Sequence, residues 1–214
     1  MTSTENQPAE NSQVENKDFS NVSYWNQYYT DNTEQFDWFQ PWEFFKKYLC
    51  NRVTLGGNAL NVGCGNSTLG KDLLEHFDKI VNIDYSQTVI DQMKDKYKDI
   101  PNLEWITTDC LKIELEEQFF DCIFDKGTFD CLTCDSESNE KVKSYLNEID
   151  RLLTPYGTFV LISFAPEIAR KRYFKEVSKQ LKVVSVIPIP KPELKNAFYY
   201  VYLLMKNNTN SNIQ

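Results

Sequence analysis

The run Ala59-Leu60-Asn61-Val62-Gly63-Cys64-Gly65-Asn66-Ser67 decides the fold. Residues 59–62 are short and apolar enough for a buried strand, and Leu73, Leu74 and Phe77 beyond the turn stand at helical spacing. Gly63 and Gly65 permit the tight turn between them and leave no Cβ between the backbone and anything bound beside it. The same alternation of strand and helix continues downstream. Lys79–Asp84 reads as a second strand, and Ser86 caps a helix that places Val89, Ile90, Met93 and Tyr97 on one face. Pro101-Asn102 turns into a third strand, Leu103–Thr107, and Phe120–Asp125 is a fourth. A helix around 139–153 carries Val142, Leu146, Ile149 and Leu153 on its apolar face. Thr154-Pro155-Tyr156-Gly157 then makes a turn into Thr158–Phe164, whose continuous apolar character suits a sheet covered on both faces.

A basic helix is expected over about 166–181, followed by strands Lys182–Ile187 and Phe198–Lys206. The short span between these two lacks helical patterning, which predicts a hairpin and an antiparallel last strand. The rest of the sheet is expected to be parallel with helices on both faces. Upstream of the glycine turn, residues 18–50 are rich in aromatics, and Pro41 opens a helix with Trp42, Phe45 and Leu49 on one side. The polar stretches 1–17 and 207–214 are expected to be disordered tails around one domain, 18–206, with the aromatic segment 18–50 as a lid.

Composition narrows the functional classes. The 214 residues hold 23 Lys and Arg against 31 Asp and Glu, a formal net charge of −8. That sign argues against non-specific nucleic-acid binding, which needs a basic footprint, and suits a neutral metabolite or a basic protein partner. No run approaches the roughly 18 apolar residues of a membrane helix, and the first residues match neither a signal peptide nor a mitochondrial presequence. A cytoplasmic or nuclear chain is expected. The six cysteines read as small hydrophobes of a reducing compartment. Cys131 and Cys134 form a single CxxC, and with His76 the only histidine no metal site is expected.

Three strand ends carry the chemistry. Alone, the Gly63–Ser67 loop is a weak signal, compatible with an ordinary strand-to-helix turn, and Thr68 stands where a dinucleotide fingerprint has glycine or alanine. Asp84, about 20 residues further on, can accept from both ribose hydroxyls of an adenosine, although NAD would be served equally well. Asp109 is positioned to accept from an adenine amino group, with Cys110 offering a backbone N–H. Ligands of open α/β sheets bind outside the carboxyl ends of the strands, so Gly63, Asp84 and Asp109 together would ring one nucleoside. Asp125-Lys126-Gly127-Thr128-Phe129-Asp130 ends the fourth strand, with Asp125 placed to orient an incoming amine and Lys126 to hold a cofactor, or else a solvated turn of charges.

Tyr24-Trp25-Asn26-Gln27-Tyr28-Tyr29, Phe36-Asp37-Trp38-Phe39, Gly63–Ser67, Asp84-Tyr85-Ser86 and Asp125-Lys126-Gly127-Thr128 occur in this order. From about Tyr24 to Lys206 the chain resembles the methyltransferase-like 13 group of class I methyltransferases. The resemblance implies a Rossmann-like seven-stranded sheet, S-adenosyl-L-methionine as cofactor, and methylation of a lysine side chain of a protein such as elongation factor 1-alpha. Matching motifs assign the cofactor to Trp25, Tyr29, Trp38, Gly63, Gly65, Asp84, Tyr85, Asp109, Cys110 and Lys126. The chain departs from the group at Cys131–Asn139, a shorter loop that would border the acceptor. No catalytic base is expected. The other readings are a small-molecule methyltransferase, a silent cofactor-binding subunit and an NAD-dependent dehydrogenase.

Overall fold

A computed structural model describes residues 19, 21–134, 138–176 and 181–206. The segments expected to be disordered tails, 1–17 and 207–214, lie outside these residues, as do 135–137 within the Cys131–Asn139 loop. Seven strands form one sheet: β1 (Asn58–Val62), β2 (Lys79–Asp84), β3 (Leu103–Thr107), β4 (Phe120–Lys126), β5 (Leu153–Ser163), β6 (Leu181–Pro190) and β7 (Phe198–Lys206). Their order is β3-β2-β1-β4-β5-β7-β6. The first five run parallel, while β7 lies antiparallel between β5 and β6. The sheet and its terminal hairpin are those expected from the sequence.

Alternation along the strands explains how the sheet is covered. Ala59, Cys122, Phe124, Val160 and Ile162 enter one core, Leu60, Val62, Ile123, Phe159 and Leu161 the other. The first core is closed by α1 (Val22–Asp31), α2 (Trp42–Leu49), α3 (Leu69–Leu73) and α4 (Gln87–Lys96), which contribute Trp25, Phe45, Leu73 and Met93. The second is closed by α5 (Thr128–Leu132), α6 (Ser138–Leu152) and α7 (Glu167–Glu176), through Phe129, Leu146 and Tyr173.

Several boundaries move. The helix expected through Phe77 stops after Leu73, because the chain must return through Asp78 and Lys79, whose N–H groups both bond the Gly57 carbonyl. The turn expected at 154–157 is instead a bulge inside β5, with Phe120 opposite Leu153 and Cys122 already opposite Thr158. Residues 177–180 of the expected basic helix lie outside the described residues, and α7 is described as far as Glu176. Helix α5 was not anticipated: its five residues are too few for a periodic signal.

Phe124 sits where the first core is densest, edge-on to Trp42 and Phe77 at centroid distances of 5.8 Å each. Phe124→Ala is expected to lower the unfolding free energy by about 3–5 kcal/mol, through lost burial and a cavity the aromatic neighbours cannot fill. Urea denaturation monitored by circular dichroism measures this.

Candidate active site

The strand order reverses between β1 and β4, since the chain runs outward through β2 and β3 and then returns to the other side of β1. Such a switch point opens a crevice at the carboxyl ends of the strands. A cavity of about 480 Å³ lies there, lined by residues that follow β1 to β5 and by the aromatic N-terminal segment. That volume is of the size that takes a small ligand.

The glycine loop forms the floor. Gly63 (φ +59°) and Gly65 (φ +50°) are in the left-handed region that disfavours side chains. A Cβ on Gly63 would collide with Thr128, and one on Gly65 would stand 2.6 Å from the Tyr29 hydroxyl. Thr128 Oγ1 donates to the Val62 carbonyl at 3.0 Å, tying the ends of β1 and β4 across the crevice. Asn66 and Ser67 are buried, so the Asn66-Ser67-Thr68 sequon has no room for a glycan.

Asp84 ends β2 and is buried. Its Oδ2 accepts from Gly65 N at 3.0 Å and its Oδ1 from Ser86 N at 2.9 Å. Burial pushes its pKa up to about 6, with the backbone donors opposing. Each oxygen keeps acceptor capacity for a ligand hydroxyl. Asp109 lies two residues past the end of β3 rather than on it, exposed, with Oδ1 accepting from Leu111 N.

The wall opposite is aromatic. Asn21 caps α1 by accepting from Ser23 N, and the helix sets Trp25 and Tyr29 one turn apart with rings stacked at 5.8 Å. The Trp25 indole N–H donates to Phe19 O, and Trp38 meets the Trp25 ring edge-on at 6.3 Å. Ser86 Oγ donates to Asn26, Gln92 to Tyr29 O and Asn66 to Glu34 O, which fastens this wall to α4 and the glycine loop. Burial pushes the Tyr29 phenol far up, helped by the neighbouring Asp84 charge, so it is neutral.

Lys126 ends β4 and does not stand free. Its Nζ donates to Asp37 Oδ1 and to Trp38 O, both at 2.9 Å. Asp37 also takes a short hydrogen bond from Ser67 Oγ. Burial lowers the Lys126 pKa and Asp37 offsets this. Asp125 differs from its expected role. It is fully buried, accepts from Thr128 N and Phe129 N at the start of α5 and from Tyr145 OH at 2.7 Å, and is not part of the cavity lining. Burial pushes its pKa up to about 7. The expected solvated turn is likewise absent, since Asp125, Lys126 and Asp130 are all buried.

All ten residues singled out from the sequence, namely Trp25, Tyr29, Trp38, Gly63, Gly65, Asp84, Tyr85, Asp109, Cys110 and Lys126, line this one cavity. The sequence reading missed Asp37, which was quoted within Phe36–Phe39 without a role, and the Asp130–Arg170 ion pair. His76 is outside the lining, with its ring edge-on to Trp42. No disulfide joins the cysteines among the described residues, and burial pushes the Cys64 and Cys131 thiols up, which disfavours nucleophilic use.

Residues 60–161 match the methyltransferase domain family. Among solved structures, the chain resembles the N-methyltransferase NodS of Bradyrhizobium japonicum WM9 with S-adenosyl-L-homocysteine, at TM-score 0.61 and 17% identity over 77% of this chain and 84% of that one. It also resembles a TehB-like SAM-dependent methyltransferase of Corynebacterium glutamicum, at TM-score 0.59 and 18% identity over 87% and 100%. At these identities the likeness is one of fold. Fold and domain together define a class I S-adenosyl-L-methionine-dependent methyltransferase. A floor without Cβ atoms, beside a buried acid with spare acceptor capacity, fits that cofactor's nucleoside.

Mouse EEF1A lysine methyltransferase 4 is 30% identical over 172 residues, 75% of this chain and 68% of that protein. The cattle protein of that name is 32% identical over 167 residues, 72% and 66%. The chain belongs to the family of EEF1A lysine methyltransferase 4. Human eEF1A lysine and N-terminal methyltransferase is 29% identical over 175 residues, 79% of this chain but 25% of that protein, so the likeness spans about a quarter of the longer relative.

Lys126→Met leaves Asp37 without its cation in a largely buried place and is expected to cost about 3–5 kcal/mol of stability. Asp37→Asn in the same chain should restore part of it, giving a coupling of about 0.5–3 kcal/mol in a double-mutant cycle by urea denaturation.

Proposed function

We propose that the protein methylates a lysine side chain of a protein acceptor, with the elongation factor eEF1A the first candidate, and that it works in the cytoplasm. The observation that carries the reading is the single cavity in which both glycines, Asp84, Asp109 and the Trp25–Tyr29 wall meet. The names of the relatives, EEF1A lysine methyltransferase 4 and eEF1A lysine and N-terminal methyltransferase, supply the acceptor. No helix among the described residues is long and apolar enough to cross a membrane.

S-adenosyl-L-methionine, when bound, supplies a methyl group on a sulfonium whose thioether leaves unprotonated. In this reading Asp84 accepts from the ribose hydroxyls, while Gly63 and Gly65 let backbone approach the amino-acid portion. Asp109 and the Cys110 backbone edge the adenine, beside Tyr85. Trp25, Tyr29 and Trp38 close over the cofactor and attract its cation through their ring quadrupoles. Lys126 acts from behind, by pinning Asp37 and the Trp38 carbonyl.

The acceptor sets the remaining requirement. A lysine amine must be neutral to attack, and from a reference pKa of ~10.4 its deprotonation at pH 7 costs about 4.6 kcal/mol at ~1.36 kcal/mol per unit. Desolvation in a cavity walled by aromatics, next to a sulfonium, lowers that pKa and offsets much of the cost. A dedicated base is therefore not required.

Two measurements test the reading. Purified protein, labelled cofactor and eEF1A should place label on lysine; label confined to small molecules of a lysate, or none with any acceptor, would exclude a protein-lysine substrate. Binding of S-adenosyl-L-homocysteine should depend on ionised Asp84. The charged carboxylate accepts two hydroxyls and the protonated one competes as a donor, so affinity should be constant above about pH 7. It should fall by up to tenfold per unit as pH drops through about 6. Asp84→Asn should bind more weakly at pH 8 and lose that dependence, measured by calorimetry.

A further inference from the structure

Across the switch point from Asp84 and Asp109, the cavity is bordered by Asp130 of α5 and Phe164 just after β5. Asp130 is 4% exposed and Arg170 of α7 also 4%, and the two form a buried ion pair. Asp130 Oδ1 receives both the Arg170 Nη2 proton and the Ser163 hydroxyl at 2.5 Å. The other oxygen, Oδ2, accepts from Phe164 N at 3.3 Å. Arg170 is in turn oriented by Thr133 Oγ1 at 2.8 Å and Ser163 Oγ at 3.3 Å, and it lies over the Phe129 and Phe164 rings at 5.4 and 5.7 Å.

A buried ion pair costs desolvation that apolar residues of the same volume avoid. Packing alone gives no reason to set one at the cavity's edge, where Asp130 is a lining residue beside Cys131, Leu132 and Phe164. The adenosine side of the cavity is served by the residues after β2 and β3, which leaves the β4 and β5 side for the acceptor. There Oδ2 is a buried acceptor with spare capacity, fixed by its neighbours.

We propose that the Asp130 carboxylate receives the acceptor's amine, and that Arg170, by discharging this carboxylate, lets it orient the amine without holding it as an ammonium. The proposal rests on the lysine reading above. An unpaired carboxylate would stabilise the ammonium and oppose the attack, whereas a carboxylate already engaged by a guanidinium keeps hydrogen-bond direction with much less net field. Asp130 would touch the substrate; Arg170 is a positioning residue. The role that the sequence suggested for Asp125 thereby moves five positions along the same segment.

The titratable and charged groups around this pair are Glu167 of α7, Asp125 of β4, Tyr202 of β7, Cys131 and Cys134 in and beside α5, and Lys141 of α6 in the lining. A pH readout is therefore read as the difference between variants. Wild type is first assayed for labelled lysine. If it transfers methyl groups to acceptors other than amines, the lysine reading fails and the inference fails with it. With lysine labelled, Asp130→Asn, Arg170→Met and Arg170→Lys are compared at saturating cofactor.

Asp130→Asn should bind S-adenosyl-L-homocysteine within about twofold of wild type yet lose about tenfold or more in kcat/KM. Arg170→Met should move the acid limb of the kcat profile, which reports the bound complex, to higher pH by about one unit, and Arg170→Lys should not. The lysine-tail analogue n-butylamine, as a competitive inhibitor below pH 9, should bind more tightly to Arg170→Met and more weakly to Asp130→Asn. Equal losses in activity and melting temperature, with the wild-type pH profile and unchanged n-butylamine inhibition, would reduce the pair to a structural one and overturn the proposal. Should Arg170→Met fail to fold, the inhibition of Asp130→Asn decides.

Discussion

Lys126 reaches from the end of β4 to Asp37 and the Trp38 carbonyl, and this contact holds the aromatic N-terminal segment over the strand ends. An α/β sheet by itself supplies a crevice open to water at its switch point. Closing it requires a segment that precedes the sheet to fold back across it, and aromatic packing alone is tolerant of sliding. The ammonium and carboxylate fix one register, reinforced by Ser67 of the glycine loop. In net terms such a pair contributes little stability, because desolvation consumes its Coulomb attraction. Its effect is on which arrangement is adopted.

The same trade recurs around the cavity. Asp84, Asp125 and Asp130 are all nearly or fully buried, and burial raises the pKa of each. In the cofactor-free protein the sign of linkage follows directly: a carboxyl whose folded pKa lies above its unfolded value supports stability at low pH, and that support is lost as pH rises through about 6 for Asp84 and about 7 for Asp125. Their donors differ in kind. Asp125 accepts from two backbone N–H groups and a tyrosine and lies outside the cavity lining, which marks it as architecture. Asp84 and Asp130 line the cavity, which leaves them something to bind.

In the proposed reading, such a division of labour lets a methyltransferase dispense with a strong base. The chemical cost of a neutral lysine is a few kcal/mol, within the reach of desolvation and a neighbouring cation. Orientation is the larger demand, and it is met by groups whose own positions are over-determined.

The sequence by itself determined the sheet and the cofactor side of the cavity. Short apolar runs, the Gly63–Gly65 turn and the acids at the ends of β2 and after β3 are local signals, each read within a few residues of the group it places. Seven strands, the antiparallel β7 and the lining residues Gly63, Gly65, Asp84, Asp109, Cys110 and Lys126 were legible for that reason, whereas Trp25, Tyr29, Trp38 and Tyr85 were assigned by the family resemblance. Where the chain departs from the reading, the cause is non-local: α3 is cut short by the return to β2, and the expected turn before β5 is absorbed as a bulge by pairing with β4. Only tertiary structure could separate Asp125 from Asp130, because both are acids in one short segment and differ solely in what meets them, Tyr145 for one and Arg170 for the other. Asp37 escaped notice for the same reason. Its partner stands 89 positions away in the chain, and no pattern within Phe36–Phe39 records that Lys126 will be there.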